Sequence, residues 1–327
     1  MRIGWIFIFA ACTGMDRHVL TQVDGSSSDS PMSANVPWTP VSGPTSTDLY
    51  SVWAGSTTNV VAVGGTPGAT GTGNPGVIVS FDGTSWAATP YLVNLLGVFA
   101  RTAVGEYGDE GSMTYWNGAA WSSRSVLAAG FLRGTWETSP GTYAVGDSGG
   151  LYYTSETGVP GSWGSITSST TAPLYAVWGA TPSDVYAVGA GGVILHNPNA
   201  GPGVTIGWTM TTHGSSTLRG IWGSSPSDMY IVGEAPAVIL HSTDQGATWT
   251  EATLPATAVG LYGITGTSAS DIYVVGATGG LAFHSTGGDA WTTQSLPTAV
   301  DMFGIAIAPS GDVYAVGRGG AIAHKAP

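Results

Sequence analysis

Basic residues are scarce in this chain. Eight Lys and Arg stand against twenty Asp and Glu over 327 residues, giving a formal net charge of −12, and Lys325 is the single lysine. Phosphate backbones are bound by clustered Lys and Arg. Nucleic acid is therefore excluded as a partner, and the acidic balance serves solubility. Cysteine occurs once, at Cys12, so no intrachain disulfide can form. Charged residues make up 9% of the chain, well under the usual share of about 25%. Ser, Thr and Gly must solvate the surface instead. Helical periodicity is missing: no window carries apolar residues at i, i+3, i+4 and i+7 with caps over three turns. There is no G-x-x-x-x-G-K-[ST] run to cradle a phosphate, and no cofactor is expected.

What is present is a repeat. Residues 218–249 read LRGIWGSSPSDMYIVGEAPAVILHSTDQGATWT. Three short runs rich in β-branched and aromatic residues are separated by turn residues, and a Trp closes the unit. The runs are too short for helices and suit strands. The Val-Gly that ends the second run recurs at Gly64, Gly105, Gly146, Gly189, Gly233, Gly276 and Gly317, seven copies spaced by 41 to 44 residues. The closing Trp recurs at Trp86, Trp121, Trp163, Trp208, Trp249 and Trp291. The seventh copy has no closing Trp, but Val36-Pro37-Trp38-Thr39 resembles Ala247-Thr248-Trp249-Thr250. One four-stranded unit buries little and needs copies beside it. The expectation is an all-β, seven-bladed β-propeller over residues 36–327, with four-stranded antiparallel blades. An N-terminal strand around Trp38 would complete the last blade and remove the free sheet edges; the alternative places Trp38 in a linker. Kelch and WD40 propellers are the other folds considered, but the period is too short for the first and no Trp-Asp dipeptide supports the second.

Ahead of the repeats, Met1-Arg2, an apolar run from Ile3 to Phe9 and Ala10-Ala11 lead to Cys12. A charged start, a short apolar stretch and small residues describe a secretory signal over residues 1–12, and the run is too short to span a bilayer. Phe9-Ala10-Ala11-Cys12 resembles a bacterial lipoprotein processing box, with Cys12 as the lipidated residue; an ordinary signal peptide or a mis-assigned start are the alternatives. Residues 13–35 show no period and read as a flexible tether. These features predict an exported protein, periplasmic, at the cell surface or anchored to the outer membrane of a bacterium, with membrane contact only through a lipid anchor.

Ser242-Thr243-Asp244-Gln245-Gly246-Ala247-Thr248-Trp249 fits S-x-D-x-G-x-T-W. This resembles the Asp-box of BNR-repeat propellers, found in sialidases and in photosystem-II-assembly-factor-like propellers. Weaker versions stand at Ser80–Trp86, Trp116–Trp121 and Ser285–Trp291. The resemblance implies that Asp244 is a fold element. The residues say the same: Asp244 can accept hydrogen bonds from its own turn and Gly246 can supply a positive φ. The sialidase catalytic set is absent. Its Arg signature is missing, and Glu137 lies at the far end of a first strand from Arg133.

Asn59, Asp184, Asp228, Asp271 and Asp312 precede the second strands, and His196, His241, His284 and His324 end the third. One residue per blade around a ring cannot converge on a metal ion. The carboxylates are expected to cap turns and the imidazoles to bridge backbone groups.

The second position of each first strand is Tyr50, Leu96, Arg133, Tyr175, Arg219, Tyr262 and Phe303. These should stand at equal height near the entrance of a central channel, with residues 65–76, Glu106–Gly111, Asp147, Glu234 and Arg318 in the loops of the same face. Aromatics and arginines at a concave mouth can stack on a sugar or grip a carboxylate. Tyr50, Arg133, Tyr175, Arg219, Tyr262 and Arg318 are the candidate ligand-binding residues. The alternative is that they simply fill space between blades. The functional expectation is a monomeric, non-catalytic binding or scaffold propeller that recognises a protein or a glycan. The alternative is a carbohydrate-active glycosidase or lyase with its site at the mouth.

Overall fold

A computed structural model describes residues 36–66, 75–107, 110–138, 141–155 and 163–327. The first repeat is a meander of Leu49–Ser56, Asn59–Gly65, Gly76–Phe81 and Trp86–Tyr91, each strand antiparallel to the next. The same meander recurs within residues 94–129, 132–165, 174–212, 217–251 and 260–295. The last sheet holds Met302–Ile307, Val313–Gly317 and Ile322–Lys325. Its fourth member is Thr39–Val41, with Thr39 opposite His324. Among the described residues there are five four-stranded sheets and one of eight. The eight-stranded sheet is two meanders joined at one pair, Glu234 opposite Gly260. Helical structure among the described residues is confined to three-residue turns at Asp147–Gly149, Ala190–Gly192 and Arg318–Gly320. This is the architecture of a β-propeller.

The core lies between sheets. Tyr186, Val188 and Ile194 of one meander pack with Leu218, Ile221 and Met229 of the next. Tyr314, Val316 and Ile322 of the last pack with Leu49, Val60 and Val77 of the first. Each such aliphatic side chain contributes about 1.5–3 kcal/mol on burial, and no single sheet could bury both of its faces. Trp38, immediately before Thr39–Val41, is buried; its ring meets Tyr273 edge-on with centroids 6.2 Å apart. Beside it, Lys325 is 2% exposed and donates from Nζ to the carbonyl of Val36 at 2.8 Å.

The recurrent Val-Gly has a steric cause. A Cβ on Gly64, Gly105, Gly276 or Gly317 would stand 1.9–2.1 Å from the carbonyl oxygen of Asp48, Asn94, Gly260 or Asp301. The end of the second strand passes the start of the first so closely that only hydrogen fits. A second glycine serves the hub. On Gly97, Gly134 and Gly304 a Cβ would lie 2.7 Å from the Arg133 carbonyl oxygen, 2.6 Å from that of Tyr175, and 2.9 Å from the Ser51 Cα. Each contact is with the first strand of another repeat. Small residues here let those strands crowd together at the axis.

Candidate functional site

Every first strand carries a β-bulge at the same place. The register with the second strand slips between Leu49 and Ser51, Leu95 and Gly97, Leu132 and Gly134, Leu174 and Ala176, Leu218 and Gly220, Leu261 and Gly263, and Met302 and Gly304. The skipped residues are Tyr50, Leu96, Arg133, Tyr175, Arg219, Tyr262 and Phe303, the positions singled out in the sequence. The residue before each bulge is fully buried, while each bulged side chain is half-buried. A bulge leaves one residue out of the ladder and re-aims its side chain. Residues from all seven first strands, Tyr50, Leu96, Arg133 and Phe303 among them, line one cavity of about 210 Å³.

The bulged side chains touch one another. Tyr175 lies between two guanidiniums, with the Arg219 Cζ 4.0 Å and the Arg133 Cζ 5.1 Å from its ring centroid. Phe303 lies between Tyr50 and Tyr262, at centroid distances of 5.6 and 5.8 Å. The site is thus an arginine–tyrosine stack on one side and an aromatic arc on the other. Leu96 has no ring or charge to add to either.

The loops of this face supply carboxylates. Asp147 Oδ1 accepts from Arg133 Nε at 2.5 Å. Glu234 Oε1 accepts from both Nε and Nη2 of Arg219. Asp301 Oδ2 accepts from Arg318 Nη2 at 2.6 Å. Each of these three arginines therefore has a carboxylate partner of its own. Burial, then the Asp48 and Glu106 carboxylates, push the Tyr50 hydroxyl up to about 12; that hydroxyl donates to the Gly65 carbonyl at 3.1 Å. Burial, then Glu234 and Asp301, raise Tyr262. Asp48 and Asp301 were not picked out from the sequence. Their signal was position: each stands two residues before a bulged aromatic, Tyr50 and Phe303. Cys12 and residues 67–74 of the long first-repeat loop lie outside the described residues.

On the opposite ends of the strands, the Asp and His series meet each other rather than the backbone. His196 bonds Asp184 at 2.6 Å, His241 Asp228 at 2.8 Å, His284 Asp271 at 3.0 Å and His324 Asp312 at 2.7 Å. The strand register decides this. Tyr186, Tyr230, Tyr273 and Tyr314 sit directly opposite these histidines, and the Asp two residues earlier shares their face. The tyrosine stacks on the imidazole, with centroids 4.0 Å apart for Tyr186–His196 and Tyr230–His241. In the fifth repeat His241 Nδ1 also meets Asp289 of the sixth at 2.9 Å. Among the described residues no three His, Cys, Asp or Glu gather in a way that could hold a metal ion.

Asp244 behaves as its turn requires. Its Oδ1 accepts from the Thr248 N–H at 2.8 Å and from the Ser242 hydroxyl at 2.9 Å, and its Oδ2 from the Thr248 hydroxyl at 2.6 Å. Gly246 holds φ +73, and the Gln245 carbonyl accepts from the Tyr186 hydroxyl of the preceding sheet at 2.9 Å. Asp82 and Asn117 accept the equivalent N–H groups of their own turns.

No family model and no curated protein matches the sequence. Solved structures do match the fold. YCF48 bound to a D1 peptide is 17% identical, with a TM-score of 0.65, over 89% of this chain and 97% of that one. The WD40 β-propeller domain of Doa1 is 11% identical, with a TM-score of 0.67, over 88% and 96%. Streptogramin B lyase is 12% identical, with a TM-score of 0.70, over 88% and 96%. What this chain shares with all three is the β-propeller fold.

Proposed function

We propose that the chain is a non-catalytic binding propeller that takes a segment of a partner protein at the mouth formed by the bulged residues. The observation that carries this reading is the set of seven bulges at Tyr50, Leu96, Arg133, Tyr175, Arg219, Tyr262 and Phe303, six of which bring an aromatic ring or a guanidinium to the mouth. Bulges re-aim side chains and are over-represented beside binding sites. The fold shared with YCF48, which was captured with a D1 peptide, supports a peptide as the ligand class. In this reading the propeller has seven blades, belongs with the Asp-box propellers, and is closed by Thr39–Val41. Support for closure comes from the pairing of that strand with Ile322–Lys325. We also propose that the protein is exported and acylated at Cys12, with residues 13–35 as the tether; Cys12→Ala should then release it from the membrane fraction.

A peptide array and a glycan array probed with the purified protein test the central reading. Peptide binding lost in Arg133→Ala and Arg219→Ala supports it. Glycan binding lost in the same variants moves the ligand class. Turnover of a polysaccharide or a streptogramin would replace it with an enzyme, the reading that the fold of streptogramin B lyase favours.

A further inference from the structure

The third repeat departs from the Asp–His pattern. In the fourth to seventh repeats a tyrosine of the second strand faces a histidine of the third, and the Asp two residues earlier bonds that histidine. In the third repeat Tyr143 faces Tyr153, and Gly141 holds the Asp position. The two replacements fit each other. A Cβ on Gly141 would stand 2.4 Å from the Tyr153 hydroxyl oxygen, so that hydroxyl fills the room a carboxylate takes elsewhere. Thr138 lies directly opposite Gly141 in the hairpin, which sets its Cβ about 5 Å from the same place. Tyr143 is the next residue on this face, its ring centroid 4.7 Å from that of Tyr153. Burial, then the Tyr153 phenol, raise the Tyr143 hydroxyl. Trp208 of the fourth sheet closes over Tyr143 edge-on, at 6.4 Å.

Three hydroxyls are thus buried together. Thr138, Tyr143 and Tyr153 are 3%, 0% and 8% exposed, and none of their hydroxyl oxygens has a hydrogen-bond partner among the described residues. They do not reach one another either. In the fourth repeat the equivalent Tyr186 hydroxyl donates to the Gln245 carbonyl in the turn of the next sheet. The turn that would serve Tyr143 is replaced by the insertion at residues 197–207, where the Thr205 carbonyl accepts from the Thr167 N–H and the Ile206 carbonyl from Asn197 Nδ2. The surrounding cluster is apolar, with Trp136, Ile166 and Trp208. We propose that the seam between the third and fourth sheets is a water-binding site, with Thr138, Tyr143 and Tyr153 as the groups that hold one bridging molecule. A buried water makes about three hydrogen bonds to otherwise unsatisfied groups, and each hydroxyl can donate or accept as the water requires. The Trp208 indole N–H is unpartnered too, but so are those of Trp249 and Trp291, so it does not mark this seam.

Urea unfolding of the full chain and of Tyr143→Phe, Tyr153→Phe and the double variant tests this. Phe keeps the ring and its packing and removes only the hydroxyl. Each single variant should raise the unfolding constant about fivefold, the share of one hydrogen bond. The double variant should lose little more than either single one, because both hydroxyls hold the same molecule. A midpoint that rises or stays put in the single variants means that the hydroxyls bind nothing, since removing an unsatisfied buried group relieves the fold; that result overturns the proposal. Losses that simply add mean separate partners and overturn it as well. A high-resolution crystal structure of the full chain gives a second reading. An ordered water bonded to Tyr153 and to Tyr143 or Thr138 supports the site. Hydroxyls bonded directly to each other or to backbone, with no water between them, refute it.

Discussion

The indole Nε1 of Trp38 donates a hydrogen bond to the side-chain oxygen of Gln294 at 3.0 Å, across 256 residues of sequence. Gln294 lies on the outer strand of the sixth repeat, Trp291–Ser295, while Trp38 leads into the strand that completes the last sheet. One residue therefore ties the N-terminal segment to two sheets. Trp38→Ala should cost about 3–5 kcal/mol, the range for emptying a buried Trp site, read by urea unfolding. Removing residues 36–41 should cost more, because it also strips Ile322–Lys325 of its outer partner and leaves it paired only with Val313–Gly317. A deletion variant that unfolds like the parent would refute the closure.

Arg133→Ala and Arg219→Ala separate binding from stability. The ion pairs with Asp147 and Glu234 are partly exposed, and such pairs contribute no more than about 1 kcal/mol. Each variant should therefore melt close to the parent. Arginines at binding hot spots cost about 2 kcal/mol or more on truncation, so affinity for a mouth ligand should fall at least about thirtyfold. Titration calorimetry and thermal melts on the same samples check both halves.

Two glycines of different kinds should respond differently to alanine. A Cβ on Gly276 meets backbone on two sides, the Gly260 carbonyl oxygen at 2.1 Å and the Leu261 Cα at 2.8 Å. Gly276→Ala should cost about 3 kcal/mol or more, since neither strand can yield without disturbing the bulge. Gly191, at φ +67, has nothing within 4 Å of a Cβ. Gly191→Ala should cost only the backbone penalty of about 1–2 kcal/mol. Equal losses in denaturant midpoint would mean that the close approach at Gly276 is not what the residue is for.

Asp271 and His284 make the most buried of the four Asp–His pairs. Burial alone would raise the Asp271 carboxyl, but hydrogen bonds from His284 and Thr267 outweigh it and hold the group below its usual 3.8. A depressed folded value stabilises the fold above the unfolded pKa, and that increment is lost as pH falls through the folded value. Asp271→Asn should therefore cost about 1–3 kcal/mol at pH 7, and the gap to the parent should close below pH 3.8. At the alkaline end the sign reverses. Tyr50 keeps its proton in the folded state up to about 12, so its share of stability is present below pH 10 and lost as pH rises from there. Denaturation curves at pH 3, 7 and 11 check both limbs.

The repeat was legible because its period is written in residues that tolerate no substitute. Gly64, Gly105 and Gly276 recur because a backbone carbonyl occupies the place of a Cβ. The mouth positions were legible for the same reason: an identical place in every repeat must stand at an identical height. The bulge behind them was not, since Leu49-Tyr50-Ser51 reads as ordinary strand. The Asp–His pairs were half legible. Both series were visible as periodic, but the partner of each depends on which residues face one another across the hairpin.

The sequence alone determined the class of the molecule: short strands at a fixed spacing and small residues where backbones meet. These are local and additive properties, and a linear pattern carries them. Tertiary structure decided the electrostatics. The arginines at Arg133, Arg219 and Arg318 look like free cations in sequence, yet folding sets Asp147, Glu234 and Asp301 against them, while Tyr50, Phe303 and Tyr262 from distant repeats come into contact. Charge balance depends on distances through space between loops of different repeats, and those distances exist only once the sheets have assembled.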